Sequence, residues 1–214
     1  MIIDIHSHFL PGIDDGAKNA LMGLYMLKES YSQGIECCIA TPHYMADRPV
    51  EKFVAQRNAA YKSLGDLSEG YPEVHLWAET YYTPMLKYMD LRPLSLNGSI
   101  LLELPFREVD DQTLYDISYI RNSLGYNIVI AHVERYKKID RLLDMDVGIQ
   151  INAEAANTFL ARHLIRKKRV DFIASDMHNM TTRPPNLGET LKSIRAKHPE
   201  VYSHLIFCAE DLID

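Results

Sequence analysis

Seven short apolar runs, separated by longer amphipathic stretches, restrict what this chain can fold into more than any other feature. They are Ile2–His6, Ile35–Ala40, Val74–Glu79, Ile100–Leu104, Asn127–His132, Gly148–Asn152 and Asp171–Ser175. They are rich in Ile, Val and Leu and mostly lack in–out alternation, the pattern of parallel strands buried on both faces. Between them, apolar residues recur at helical spacing. Asn19 is placed to cap a helix carrying Leu21, Leu24, Leu27 and Tyr31 and ending at Gly34. Val50–Leu67, Asp110–Leu124, Lys137–Met145, Glu154–Lys168, Leu187–Lys197 and the shorter Thr83–Met89 read the same way. Strand–helix alternation of this kind defines an α/β fold. Seven units fit a distorted TIM-like (β/α)7 barrel better than a six-stranded open sheet. The tail Leu205–Cys208 reads either as another short strand or as a packed end. No repeat, low-complexity tract or Gly/Ser linker divides the chain, so residues 1–214 are expected to form a single domain.

Composition removes several function classes. A net charge of −6 argues against a broad nucleic-acid footprint. It leaves small anions open, because a metal centre inverts the local field. No apolar stretch reaches the roughly 18 residues of a membrane span, and the first residues lack a signal-peptide pattern. The cytoplasm is therefore the expected compartment. The three cysteines, Cys37, Cys38 and Cys208, lack CxxC spacing, and none begins a Cys-x5-Arg phosphate loop. They read as reduced thiols, not as a disulfide framework or a nucleophile.

The ends of the apolar runs carry the chemistry. His6 and His8 close the first, and i, i+2 spacing in an extended chain turns both to one face. The second runs into Thr41-Pro42-His43, the third ends at Glu79 and the fourth at Glu103. The fifth ends at His132 and the seventh at Asp176 and His178. Each residue alone has a structural reading: a loop histidine, a rim charge, a helix cap. Together, six of seven runs finish with His, Asp or Glu, at the strand ends that form the active-site face of parallel α/β proteins. His75, His163, His198 and His204 fall inside a strand, on helices or in loops, and read as structural. Imidazole and carboxylate without thiolate suit Mn, Fe or Zn. So many donors exceed the needs of one ion and imply two or three, the arrangement used for phosphoester hydrolysis. Arg135, three residues after His132, and Arg183, five after His178, could hold phosphate oxygens in bidentate geometry.

With those residues in place, a family resemblance emerges. "DIHSH", Asp15-Gly16, "TPH", "AHVER" and "ASDMH" resemble the successive motifs of the PHP (polymerase and histidinol phosphatase) superfamily. The longer strings "DIHSHFLPGIDDGAKN", "IATPHY", "LSLNGSILLELPF", "IVIAHVERY" and "ASDMHNMTTRPPNLGE" are similar to the bacterial CpsB/CapC-type tyrosine-protein phosphatases, over nearly the whole chain. The resemblance implies a TIM-like barrel with a trinuclear, usually manganese, centre. Its ligands would be His6, His8, Asp15, His43, Glu79, Glu103, His132, Asp176 and His178. Asp15 enters through the resemblance alone, being preferred over Asp14 because it directly precedes glycine. Arg135 and Arg183 match positions that hold the substrate phosphate. The implied substrate is the phosphotyrosyl tail of a membrane-associated tyrosine kinase governing capsule or exopolysaccharide synthesis.

The chain departs from the family pattern at "WAETYY", where a glycine-containing string is common, and at Val133, where proline is frequent. The bulk of Trp77, Tyr81 and Tyr82 is expected to alter either packing or the rim of the site. The implied mechanism is attack by metal-activated hydroxide, with Arg135, Arg183 and the ions neutralising phosphate charge and an aquated metal or a protonated His178 assisting the leaving group. The alternative within the superfamily is a phosphatase for a small metabolite such as histidinol phosphate, and outside enzymes a metal-binding scaffold.

Overall fold

The computed structural model describes residues 1–214. Nine short strands and seven α-helices alternate along it, so the α/β reading holds. The strands are β1 (Ile3–Ser7), β2 (Cys37–Ala40), β3 (His43–Tyr44), β4 (Glu73–Leu76), β5 (Glu79–Tyr81), β6 (Ser99–Glu103), β7 (Asn127–Ile130), β8 (Gly148–Asn152) and β9 (Phe172–Ala174). All their pairings are parallel, in the orders β1-β2-β4 and β3-β5-β6-β7-β8-β9.

Nine strands replace the seven expected because the Val74–Glu79 run is interrupted and the Ile35–Ala40 run is followed, across Thr41-Pro42, by a further short strand. Cys37 lies opposite Glu73 and His43 opposite Glu79, the same offset on both sides of the gap, so β2/β3 and β4/β5 are one ladder broken in the middle. Pro42 has no N–H to contribute at the break. The other backbone donors there are still used, with Trp77 N–H reaching Ala40 O at 2.8 Å and Glu79 N–H reaching Pro42 O at 3.2 Å. The sheet curls until its two ends meet: a bridge joins Ser7 to Met177, and His8 N–H donates to Met177 O at 2.9 Å. That contact is a single bridge where other neighbours share a ladder.

The helices are α1 (Ala20–Ser32), α2 (Val50–Lys62), α3 (Asp111–Asn122), α4 (Asp140–Leu143), α5 (Phe159–Arg166), α6 (Leu187–Lys197) and α7 (Pro199–Asp211). Asn19 caps α1 as expected, accepting from Met22 N–H, but the buried face is Gly23, Met26, Leu27 and Ser30. Leu21 and Tyr31 are exposed. Gly23 sets this face, because a Cβ there would lie 2.3 Å from Phe9 O, and only glycine lets the helix approach so closely. Thr83–Met89 supplies only a 3-10 turn, Leu86–Tyr88. The predicted Glu154–Lys168 helix starts late, because Thr158 caps it afresh by accepting from Ala161 N–H.

Leu205–Cys208 is not a strand. It lies in α7, which begins with Pro199 at its first position, where the missing N–H costs nothing, and buries Val201, Leu205 and Ala209 at i, i+4, i+8. Two apolar layers result. Ile5, Ile39, Trp77, Leu101, Val129 and Phe172 form one, which Ala209 and Leu212 at the end of α7 join. The larger layer lies between strands and helices, including Leu102, Ile130, Ile151, Met26 and Leu191. No helix is long and apolar enough to cross a membrane.

Candidate metal centre

β1 delivers His6 and His8, both fully buried, to one end of the curled sheet. Its register shifts between Asp4 and Ser7, at the point where the histidines begin. The loop after it turns back sharply: Ala17 N–H donates to His8 O at 2.9 Å. A Cβ on Gly16 would sit 2.0 Å from that same oxygen, which explains the glycine in "DDG". β3 begins at His43, β5 at Glu79, and β6 ends at Glu103. His132 and Asp176 follow β7 and β9, both in left-handed backbone conformation at φ 31° and 51°. Such strain in non-glycine residues marks sites where side-chain direction is over-determined.

The nine ligand-type residues named from sequence converge. Glu79 is the hub: Oε2 lies 3.2 Å from Nε2 of both His6 and His8 and 2.9 Å from His43 Nδ1, while Oε1 lies 2.8 Å from His132 Nε2. Asp176 Oδ1 is 3.5 Å from Nε2 of His6 and His8. Glu103 stands 3.7 Å from His43 and 3.6 Å from His132. Asp15, its side chain 66% exposed, reaches His43 Nε2 at 3.3 Å and His178 Nε2 at 3.4 Å. Three overlapping groups able to hold an ion emerge: His6–His8–Asp176, His43–Glu79–Glu103 and His8–Asp15–His43–His178.

The hydrogen bonds of the histidines test whether cations fit. His8 Nδ1–H donates to Asp14 at 2.8 Å, His6 Nδ1–H to Gln150 Oε1 at 3.3 Å, and His178 Nδ1–H to Asp176 O at 2.9 Å. In each ring that is neutral, Nε2 then carries the lone pair and faces inward. His6 and His8 bring two of them within 3.1 Å of each other. His43 Nδ1, Glu79 Oε2 and His178 Nε2 are buried, and despite the 2.9 Å approach of the first two none of them makes a well-aligned hydrogen bond. Nitrogen and carboxylate donors crowded this closely fit divalent cations, whose ligands stand about 3 Å apart.

The electrostatics show protons and negative charge shared through the cluster. Burial alone would raise Glu79, but His6, His132 and His43 hold it well below the carboxylate range. Burial and the neighbouring Glu79 charge push Glu103 up to about 7. Burial works to lower His8, yet Asp14 and Glu79 raise it well above an ordinary histidine. Burial and the His8 charge bring His178 down to about 4.

Both arginines reach the cluster. Arg135 donates to Asp176 Oδ2 at 2.8 Å, and Arg183 donates to the same oxygen. Each side chain stays 28% exposed, with further N–H groups free to turn to a ligand. Four other residues serve the site without having been singled out from sequence. Asp14 orients His8 and also accepts from His43 N–H at 3.1 Å and Gly16 N–H at 2.9 Å. Gln150 Oε1 accepts from His132 N–H at 2.6 Å, and Asn152 donates to Asp176 at 2.7 Å. Tyr136 OH lies 3.2 Å from His132 Nδ1. The signal for two of them was the run Gly148–Asn152, whose strand ends in polar residues that are neither His nor acid.

"WAETYY" affects packing more than the rim. Trp77 is fully buried with its indole N–H donating to Ser99 O at 3.0 Å, and Tyr82 is buried with its OH donating to Asp116 at 2.8 Å. His75, His163 and His198 stay outside the cluster, as expected; His204 also lies elsewhere, beside Asp171 and Cys208.

The model of a family described as capsular polysaccharide synthesis, CpsB/CapC, matches residues 2–212. This chain belongs to the CpsB/CapC family. Tyrosine-protein phosphatase CpsB of Streptococcus pneumoniae is 31% identical, over 92% of this chain and 91% of its own length. Tyrosine-protein phosphatase YwqE of Bacillus subtilis is 30% identical, over 89% of this chain and 82% of its own. A chain from the crystal structures of YwqE and S. pneumoniae CpsB, metal-dependent tyrosine phosphatases, superposes with a TM-score of 0.84 at 27% identity, covering 99% of this chain and 94% of that one.

Proposed function

We propose that this CpsB/CapC member is a metal-dependent protein-tyrosine phosphatase whose substrate is the phosphotyrosyl tail of a kinase controlling capsule or exopolysaccharide synthesis. In this reading the curled sheet is a PHP-type (β/α)7 barrel, used as a single domain. His6, His8, Asp15, His43, Glu79, Glu103, His132, Asp176 and His178 hold two or three divalent ions, manganese first among them. The observation that carries the reading is the set of buried, inward-facing nitrogen and carboxylate donors beside two arginines. The names of the relatives support the ester as phosphotyrosine.

Divalent ions bound there supply Lewis acidity and lower the pKa of water. The chain's own groups do the rest. Arg135 and Arg183 swing N–H donors from Asp176 to the non-bridging phosphate oxygens, the largest electrostatic contribution the protein itself can make. Asp14, Gln150 and Asn152 keep His8, His6 and Asp176 in their ligating orientations. The low pKa of His178 supports its use as a ligand and not as a proton donor. A tyrosyl oxygen, with a pKa near 10, leaves with little proton assistance.

The test compares a phosphotyrosyl peptide with histidinol phosphate, using the manganese-loaded wild type and Arg183→Ala. The peptide should be preferred, and the variant should lose roughly 10²-fold in kcat/KM. Preference for histidinol phosphate would replace this reading with that of a small-metabolite phosphatase.

A further inference from the structure

A second group of metal-type donors lies at the opposite end of β9 from the phosphatase centre. Asp171 immediately precedes β9, and Asp176 follows it, five residues or about 16 Å of extended chain away. Against Asp171 stands α7, which presents His204, Cys208 and Asp211 at i, i+4 and i+7, one face of the helix. His204 Nε2 is 3.0 Å from Asp171 Oδ1 and 3.5 Å from Cys208 Sγ. Nitrogen, oxygen and sulfur together lie within 4.8 Å of one another. Around a tetrahedral zinc ion, with bonds of ~2.0–2.1 Å to nitrogen and oxygen and ~2.3 Å to sulfur, such donors stand about 3.3–3.6 Å apart. The carboxylate is already oriented, since its other oxygen accepts from Ile149 N–H at 2.9 Å. Asp211 lines the same cleft as Asp171 and Cys208.

We infer that Asp171, His204 and Cys208, with Asp211 or water as fourth ligand, form a thiolate-containing site for a borderline divalent cation such as Zn2+. The donor set differs in kind from the all-nitrogen-and-oxygen phosphatase centre, so the two ends of the sheet select different metals. Its structural consequence is local. Ala209 and Leu212, at the end of α7, belong to the apolar layer that contains Ile5, Trp77 and Phe172. A cation on Asp171, His204 and Cys208 staples that helix to the base of β9.

Cobalt(II) added to chelator-treated, reduced protein tests this. Co2+ bound by a thiolate gives a near-ultraviolet sulfur-to-metal charge-transfer band. The phosphatase centre has no sulfur ligand to produce one, and Cys37 and Cys38 are fully buried in the core. Wild type should develop a band whose full intensity corresponds to one cobalt–thiolate centre per chain, beyond the cobalt taken up by the phosphatase centre, and lose it when Zn2+ is added. Cys208→Ser should show no band, and His204→Ala should need at least tenfold more cobalt. Both variants should keep the far-ultraviolet circular dichroism and manganese-dependent activity of wild type, which separates loss of ligand from loss of fold. Cobalt binding without the band in wild type, or an undiminished band in Cys208→Ser, would overturn the assignment.

Discussion

At the residue scale, Asp14 shows how adjacent carboxylates divide labour. The sequence presents Asp14 and Asp15 as near-equivalents before Gly16, and strand-end position favours neither. In three dimensions Asp14 is tucked beneath His8 and accepts its Nδ1 proton, whereas Asp15 projects toward His43 and His178. Asp14→Ala should therefore weaken manganese binding 10- to 100-fold, with turnover restored at high manganese. Metal titration followed by activity will show this; unchanged affinity would remove Asp14 from its orienting role. Protons offer a second check. Burial and Glu79 raise Glu103 to about 7, while Asp14 and Glu79 raise His8 against the effect of burial. With no cation bound, Glu103 is partly protonated near pH 7 and the His8 site favours the charged imidazole, so manganese binding expels protons. Adding manganese to chelated, unbuffered protein at pH 7 should acidify the solution, and affinity should fall as pH is lowered. Gln150 and Asn152 carry no mark in the sequence for a simple physical reason: amides act here only by orienting the charged and imidazole ligands.

At the element scale, the strands were legible because burial on both sides leaves unbroken apolar runs. Their interruptions at Thr41-Pro42 and Trp77-Ala78 were not, since an apolar run does not reveal where a ladder skips. The α1 face was misread because Gly23, lacking a side chain, carries no apolar signal, yet it makes the closest approach to the Phe9 backbone. Gly16 is the corresponding position in the site. Gly16→Ala should push the loop off the His8 carbonyl, and the expected outcome is loss of both bound metal and thermal stability, read by elemental analysis and calorimetry. Away from the site, Tyr82, Lys87 and Gln112 converge on the buried carboxylate of Asp116 and tie the turn after β5 to α3. Asp116→Ala should cost about 2 kcal/mol in chemical denaturation, chiefly by stranding the Tyr82 hydroxyl. A variant as stable as wild type would show the tie to be incidental.

At the scale of the whole molecule, a chain with net charge −6 handles an anionic substrate by gathering five of its nine histidines and two arginines at one end of a parallel sheet. This convergence was foreseeable from the strand ends, because parallel order sends every C-terminal end to the same side. The meeting of β1 with the segment after β9, through the bridge from Ser7 to Met177, was not, since contact between the two ends of a sheet leaves no local mark. The central claim is that cations complete this cluster of lone pairs and that phosphotyrosine hydrolysis depends on them. Its most direct test is phosphate release from a phosphotyrosyl peptide by one preparation, measured after exhaustive chelation and again after manganese is restored. Activity should vanish on chelation and return with two to three manganese ions bound per chain; full activity in the chelated protein would contradict the account.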